Sequence, residues 1–434
     1  LPFYAAGADL ASLSSQRTSL RPLARICNPC LCSVAILAFA YIIRTLAFPE
    51  SLPFHGNRMN IAFITSGHFP DDDRIFWHMA QTLSGSDHKV LIISSKIELK
   101  EERGNIAINS FDGDRWSTRE KINAFIAGLE SFSPDKILCQ EPLPVMAAAR
   151  YRRKQVSNPK IIYDITEWYP YARFLKINHP IIKWFGFLKL LLANLAACMH
   201  ADGFIFGEWY KSRPYRFFFP LKPYRFVTYY PDLKYIRPLE PSFPEKKIRL
   251  SYSGEISAGK GFFNFMNVVN ALADKHKDIS IEVKLIAWIE PGTDREKIEE
   301  CIASALENVI ISHVEKQRLP DFSEAINSTD IFLELRNKTF ENNYSLPIKL
   351  FYYAALGRPV IISDLRAVRR DVRTDDFGYR VDPGDTSQII TIIDTYLADR
   401  DLYMSHCTNA RRLTEEKYNW GRISAGFVGF IVSL

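Results

Sequence analysis

The chain has 434 residues, of which 47% are hydrophobic, 13% aromatic and 24% charged. This is ordinary globular usage at a length sufficient for two or three domains, and it excludes a disordered, collagenous or disulfide-scaffold chain. Its 55 basic against 49 acidic residues leave only +6, too little to argue for nucleic acid, and seven scattered cysteines suit a reducing cytosol.

The first 58 residues read differently from the rest. Arg17, Arg21 and Arg25 precede an apolar run from Cys30 to Ile43, 14 residues where a span needs about 20. A basic flank before an apolar stretch suits a signal anchor. Residues 1–58 are therefore expected to be an extension outside the fold, either an anchor or a misread start. Cys27, Cys30 and Cys32 have no second His/Cys cluster at ligand spacing, so no zinc is expected there.

From Met59 onward, short β-branched runs alternate with helical patterns, the signature of parallel sheets covered on both faces. Strands are expected at 60–65, 89–94, 136–139, 160–164, 203–206 and 226–229, forming a domain over 59–237. The Pro- and charge-rich PLEPSFPEKK, 238–247, reads as a linker. A second series at 248–253, 281–287, 308–312, 330–334, 358–362 and 378–381 forms a domain over 248–415. Both are expected to be α/β, doubly wound. Ligands in such sheets bind beyond the carboxyl ends of strands, which directs attention to the residues after each one.

After the first strand, SGHFPDDDRIFWHMAQTL turns through Gly67 and enters a helix that Asp72 or Asp73 can cap. Asp71 and Asp73 form a DxD, but acids before a helix complement its dipole, and no metal is expected. The fourth strand ends in YDITEWYP, where Asp164, Thr166, Glu167 and Trp168 offer either the acceptors and flat face that suit a sugar or a turn cap beside core. In the second half YSGEISAGKGF joins strand to helix through Gly254, Gly259 and Gly261, with Lys260 at the helix start. Such a turn lets backbone N–H groups approach phosphate, although it lacks the full P-loop pattern. ENNYSLPIKLFYYAALGRPVIIS places a polar loop and Lys349 before a buried strand, with Leu350, Phe351 and Ala355 packing inward. Between the halves, 171–226 holds nine basic residues against Asp202 and Glu208. Its IIKWFGFLKLLLANLAACM suits either docking on an anionic bilayer or a buried helix with solvated lysines.

Together these motifs resemble the GT-B nucleotide-sugar glycosyltransferases, especially the family-4-like group with a group-1 C-terminal domain. The resemblance runs from Met59 to about Trp420 and is carried by SLPIKLFYYAALGRPVIISD, FGYRVDPGDTSQI, ARRLTEEKYNW, DDDRIFWHMAQTL, YDITEWYP, YYPDL and SGEISAGKGF. It implies two Rossmann-like domains facing a cleft, with a final helix, 416–434, returning to the first domain and donor nucleotide bound mainly by the second. Lys260 matches the basic residue on the donor diphosphate and Gly254 the glycine of that loop, while the usual Arg after it is Glu255 here. Tyr352 and Tyr344 stand where relatives have glutamates contacting the ribose and the sugar, and Glu341 is the nearby carboxylate. Asp164, Thr166 and Glu167 match an Asp-x-His-Glu segment without its histidine.

The resemblance thus implies a catalytic set of Lys260, Asp164, Thr166 and Glu167. Donor-binding residues are Gly254, Glu255, Lys260, Gly261, Glu341, Asn343, Tyr344, Ser345, Leu346, Lys349 and Tyr352. Gly67, His68, Asp73, Arg74 and Trp168 are placed on the acceptor side. No cofactor is implied, the nucleotide-sugar donor being a substrate. The implied activity is metal-independent, retaining hexosyl transfer from a UDP- or GDP-sugar to a glycan or lipid-linked acceptor, in polysaccharide or cell-envelope biosynthesis. A cytoplasmic enzyme, peripheral at the inner face of an anionic membrane, is expected. With both glutamates replaced, a catalytically silent scaffold remains an alternative, as does a sugar-nucleotide epimerase.

Overall fold

The structure, a computed structural model, describes residues 58–170, 179–289, 295–315 and 317–434. The expected extension and the basic residues Arg173 and Lys176 lie outside the described residues. Fourteen strands are described, β1 Asn60–Thr65, β2 Lys89–Ser94, β3 Lys96–Arg103, β4 Ile106–Asp112, β5 Lys136–Cys139, β6 Lys160–Ile165, β7 Gly203–Phe206, β8 Tyr224–Phe226, β9 Lys247–Ile256, β10 Ser280–Ile289, β11 Val309–Val314, β12 Ile331–Glu334, β13 Val360–Ser363 and β14 Gly378–Val381. They form an eight-stranded sheet, β3-β4-β2-β1-β5-β6-β7-β8, and a six-stranded one, β11-β10-β9-β12-β13-β14. All pairings are parallel except β3 with β4. The central strands are buried on both faces, as β1, β5 and β6 display with Ile61, Phe63, Leu138 and Ile162 on one face and Ala62, Ile64, Ile137 and Ile161 on the other, all at 0% exposure.

Three strands depart from the sequence reading. β3 and β4 form an antiparallel hairpin at the sheet edge, its two-residue loop Gly104 and Asn105 taking Gly104 to φ +63°. The charged, half-exposed β3 carries no apolar run, which is why periodicity passed over it. The last strand of this sheet, expected at 226–229, instead ends at Phe226.

The turn after β1 enters a π-helix, Asp73–Ala80, which continues as the α-helical Gln81–Gly85. Asp72 caps it, its carboxylate accepting from the N–H groups of Arg74 at 3.0 Å and Ile75 at 3.2 Å. The helix packs Ile75, Phe76 and Met79 against β1. The C-terminal helix Trp420–Ser433 joins the same cluster through Trp420, Phe427 and Ile431. Trp420 also donates to the Thr82 hydroxyl at 2.8 Å.

One ion pair crosses the inside of this arrangement. The Arg74 guanidinium meets both carboxylate oxygens of Asp164 at 2.7 Å, donates to the Val227 carbonyl at 2.7 Å and lies 4.3 Å over the Tyr229 ring. Both charges are shut from solvent, with Arg74 2% exposed and Asp164 0%. Burial opposes the arginine's charge, but Asp164 outweighs it and raises the Arg74 pKa above its ordinary value. Replacing Asp164 with alanine leaves a buried guanidinium unpaired and should cost about 3–5 kcal/mol. Urea unfolding reads this directly, and an unchanged midpoint would contradict the structural role of the pair.

Candidate functional site

The carboxyl ends of the two sheets enclose a cavity of about 300 Å³. One wall comes from the first sheet: Thr166, Glu167 and Trp168 after β6, Glu208 and Lys211 after β7, and Tyr229 beyond β8. The other comes from the second sheet: Glu255 at the end of β9 and Lys260 in the turn after it, Arg336 after β12, and Glu341, Ser345, Leu346 and Lys349 between β12 and β13, Lys349 opening the helix Lys349–Ala355.

The turn after β9 is tied down on all sides. Tyr252 donates its hydroxyl to the Glu255 carbonyl at 2.7 Å. Asn337 donates its side-chain amide to the Ala258 carbonyl and Asn342 to that of Gly259, each at 2.8 Å. Asn264, on the helix Phe262–Lys275, accepts no less a share of the load by donating to Asn337 and the Leu335 carbonyl at 2.9 Å. Gly261 has φ +83°, and a Cβ there would come within 2.0 Å of the Leu335 carbonyl oxygen, so the backbones touch only because no side chain intervenes.

Three cations gather beside this turn. The Lys349 ammonium donates to the Ser253 carbonyl and fills the space a Cβ on Gly254 would take. Gly254 itself has φ +100°. Arg336 pairs with the buried Glu334 at 2.5 Å, and Lys260 lies close enough to Glu334 and Lys349 to act on their charge. Burial, then Arg336 and Lys260, lower the Lys349 pKa to about 8, against the pull of Glu334 and Glu255. Burial would raise the Glu334 carboxyl, but Arg336, Lys349 and Lys260 bring it below its ordinary value. A negative group entering the cavity meets charge already concentrated there.

The opposite wall is held by a bridge between the sheets. Lys211 donates to the Thr166 carbonyl at 2.6 Å and pairs with Glu208 at 3.2 Å. The other Glu208 oxygen accepts from the Leu346 N–H at 3.0 Å. Trp168 donates to the Ser345 hydroxyl at 3.3 Å and its ring lies 5.5 Å from Phe340. Burial raises the Glu208 carboxyl, and Lys211 and the Leu346 N–H act against that shift.

Of the residues singled out in the sequence, Thr166, Glu167, Trp168, Glu255, Lys260, Glu341, Ser345, Leu346 and Lys349 line the cavity. Gly254 and Gly261 shape its backbone. Asp164 does not reach it, because Arg74 occupies both its oxygens, so the two residues set the wall from behind. Asn343 accepts from the Arg366 N–H at 2.9 Å, and Tyr344 accepts from the Arg366 side chain at 3.0 Å and packs edge-on to Tyr210. Tyr352 is buried against Phe322. These three lie outside the cavity lining, so the two tyrosines that replace glutamates are packing residues here. Gly67 and His68 belong to a separate cluster with Glu141, and Asp73 opens the π-helix. Burial would lower the His68 pKa, but Asp72, Glu141 and Glu167 raise it to about 9. Arg336, Glu208 and Lys211 were missed, although all three follow strand ends. Among the described residues no three His, Cys, Asp or Glu side chains converge as a metal site.

No family model and no curated protein matches the sequence. Solved structures do match over nearly the whole of their own length. Sucrose-phosphate synthase from Thermosynechococcus elongatus superposes with a TM-score of 0.64 at 14% identity, covering 86% of this chain and 98% of its own. A glycosyltransferase from Rickettsia africae gives 0.62 at 10%, covering 87% and 98%. HepE of Anabaena in complex with UDP and glucose gives 0.63 at 13%, covering 87% and 100%. With two parallel-sheet halves facing one cavity, the chain has the GT-B glycosyltransferase fold.

Proposed function

We propose that the protein is a glycosyltransferase that moves a hexosyl residue from a UDP- or GDP-sugar to a glycan or lipid-linked acceptor. The observation that carries this reading is the convergence of Lys260, Arg336 and Lys349 at the carboxyl end of the second sheet, across the cavity from Thr166, Glu167 and Trp168. The acceptor hydroxyl attacks the anomeric carbon, whose bond to the diphosphate oxygen breaks. The leaving group's new charge falls on the three cations, and a diphosphate oxygen takes the acceptor proton. Trp168 offers a flat face, and Glu167 and Glu341 offer hydroxyl acceptors, to the sugars on either side. Transfer with retention and without metal, in the cytoplasm and in polysaccharide or cell-envelope biosynthesis, completes the proposal. The absence of a carboxylate at Tyr344 and Tyr352 favours a second reading, a donor-binding protein without transfer.

A thermal-shift series with UDP, GDP, ADP, CMP and their sugars, without metal, tests donor binding. One diphosphate nucleotide should raise the apparent stability, and no shift with any would remove the proposal. Given a donor, transfer or donor hydrolysis separates the enzyme from the silent binder, and sugar interconversion without acceptor would identify an epimerase.

Lys260→Ala should lower turnover more than tenfold if its charge meets the leaving group, and an unchanged rate would remove that role.

The Lys349 ammonium is charged below pH 8 and neutral above it, while the nucleotide diphosphate is ionised throughout. Nucleotide affinity should therefore fall on the order of tenfold between pH 7 and 9. Calorimetric titration of Lys349→Met should show that slope lost; an equal slope in the variant would assign it elsewhere.

Gly254→Ala would force a side chain into φ +100° and push a methyl group into the Lys349 ammonium. Nucleotide affinity should drop about tenfold or more while far-UV dichroism stays native. Wild-type affinity would mean that Lys349 works equally well displaced.

A further inference from the structure

The helix Pro180–His200 is built inside out. Its buried positions are Asn194, Ala197 and Cys198, and Asn194 accepts from the Tyr163 hydroxyl at 3.0 Å while donating to that of Tyr215 at 3.1 Å. Its solvent side carries Ile181, Trp184, Phe185, Leu192, Leu195 and Met199 at helical spacing, with Trp184 59% and Phe185 61% exposed. A globular helix turns such a stripe inward and its polar groups outward. The stripe continues at its far end in Phe217, Phe218 and Leu221, also exposed. Lys222 fastens that segment to the carbonyls of Cys198, Met199 and Ala201.

The charge around the stripe has one sign. The helix contains Lys183 and Lys189, both exposed, and no acid. The two acids between Pro180 and Arg225 are spoken for: Asp202 by Arg152 at 2.6 Å, and Glu208 by Lys211. Arg213 adds an exposed cation close by in sequence. An apolar stripe on a helix whose Lys183 and Lys189 are exposed and which carries no acid complements a bilayer with an anionic surface.

By length and composition the helix could cross a membrane, but its last turns, where Asn194, Ala197 and Cys198 are buried, are locked to the sheet. Ala197 and Cys198 pack in the core beside Phe204 of β7. Spanning would tear that core apart; lying in the interface leaves it intact.

We infer that Pro180–His200 docks the protein on an anionic phospholipid bilayer, lying in the interface with its Trp- and Leu-rich face among the acyl chains. The docking stands on exposure and charge; its bearing on the acceptor rests on the transferase reading. β6 runs toward the cavity, the helix returns from that edge to begin β7, and its most exposed half, with Trp184 and Phe185, is the half nearest the cavity edge. Docked this way, helix and strands both lie along the bilayer and the cavity opens beside the membrane surface rather than away from it, which suits a lipid-linked acceptor held there.

Flotation of the full chain with phosphatidylcholine vesicles, with or without about a third phosphatidylglycerol, tests the inference. The protein should float with the anionic vesicles. Ile181→Ser/Trp184→Ser/Phe185→Ser, which alters only exposed positions, should cut the floated fraction at least fivefold with its thermal unfolding unchanged. Lys183→Glu/Lys189→Glu should abolish the preference for anionic lipid, and amide exchange at 181–192 should slow on adding vesicles. Flotation of the triple variant equal to wild type, or none by the wild type, overturns the inference. So does a solution dimer that the triple variant converts to monomer, which would assign the face to a second copy. Both variants are to retain any nucleotide-induced thermal shift measured without vesicles, so a failure of docking is distinguishable from a failure of donor binding.

Discussion

The wall that the first sheet gives to the cavity depends on the buried pair Arg74 and Asp164. It gathers three separate pieces of chain: the π-helix after β1, the end of β6 and the Val227 carbonyl beyond β8. Two charges without water are costly, and this pair persists because its fork geometry is complete and a further N–H has a carbonyl. Thr166, Glu167 and Trp168 follow Asp164 directly, so holding that carboxylate also sets where they enter the cavity. Tyr229, against the Arg74 face, is placed by the same guanidinium.

The opposite wall solves a different problem, the repulsion of like charges. Lys260, Arg336 and Lys349 converge with Glu334 among them, and Lys349 is lowered first by burial and then by Arg336 and Lys260, against the pull of Glu334. A diphosphate would supply the missing negative charge. The asparagines that hold the turn after β9 keep the cations from relaxing apart, so the attraction for an anion is preorganised. Glu208 then joins the walls, since its two oxygens serve Lys211 on one side and the Leu346 N–H on the other.

Much of this was legible because parallel strands buried on both faces are continuous apolar runs with glycine or acid at their ends. Twelve of the fourteen strands have a sequence expectation within a few residues, whereas the β3–β4 hairpin does not. A half-exposed, charged edge strand has no such run; its one signal was the Gly104-Asn105 pair between alternating segments. In the site, residues beside glycine or proline marks were readable, Lys260 between Gly259 and Gly261 and Lys349 after Pro347. Arg336 was not, since it stands in no motif and takes its place only when β12 is set beside β9. Glu255, where an arginine is usual, leaves a gap in the turn's own charge, and Arg336 brings a cation to that cavity from another strand. Asp164 misled for the converse reason: a carboxylate at a strand end looks the same in sequence whether it faces a ligand or an arginine.

The two sheets end in turns of similar outline, yet only one is open to an anion. After β1, the N–H groups of Ser66 and Gly67 already bind the Glu141 carboxylate at 2.8 and 3.1 Å, with the Thr65 hydroxyl at 2.9 Å. Glu141 belongs to the chain itself, at the start of the helix Pro142–Arg152, and a Cβ on Gly67 would lie 2.7 Å from its oxygen. Burial raises this carboxyl above its ordinary value, and the His68 charge and the N–H groups oppose that shift. His68 is in turn shared with Asp72, the cap of the π-helix. The first turn is thus filled by an internal acid and its counter-cation, while the turn after β9 presents cations to an accessible cavity. The two halves of this GT-B fold thus differ in charge: Lys260, Arg336 and Lys349 are gathered on the second sheet's side of the cavity, whereas the turn after β1 is closed by the chain's own Glu141.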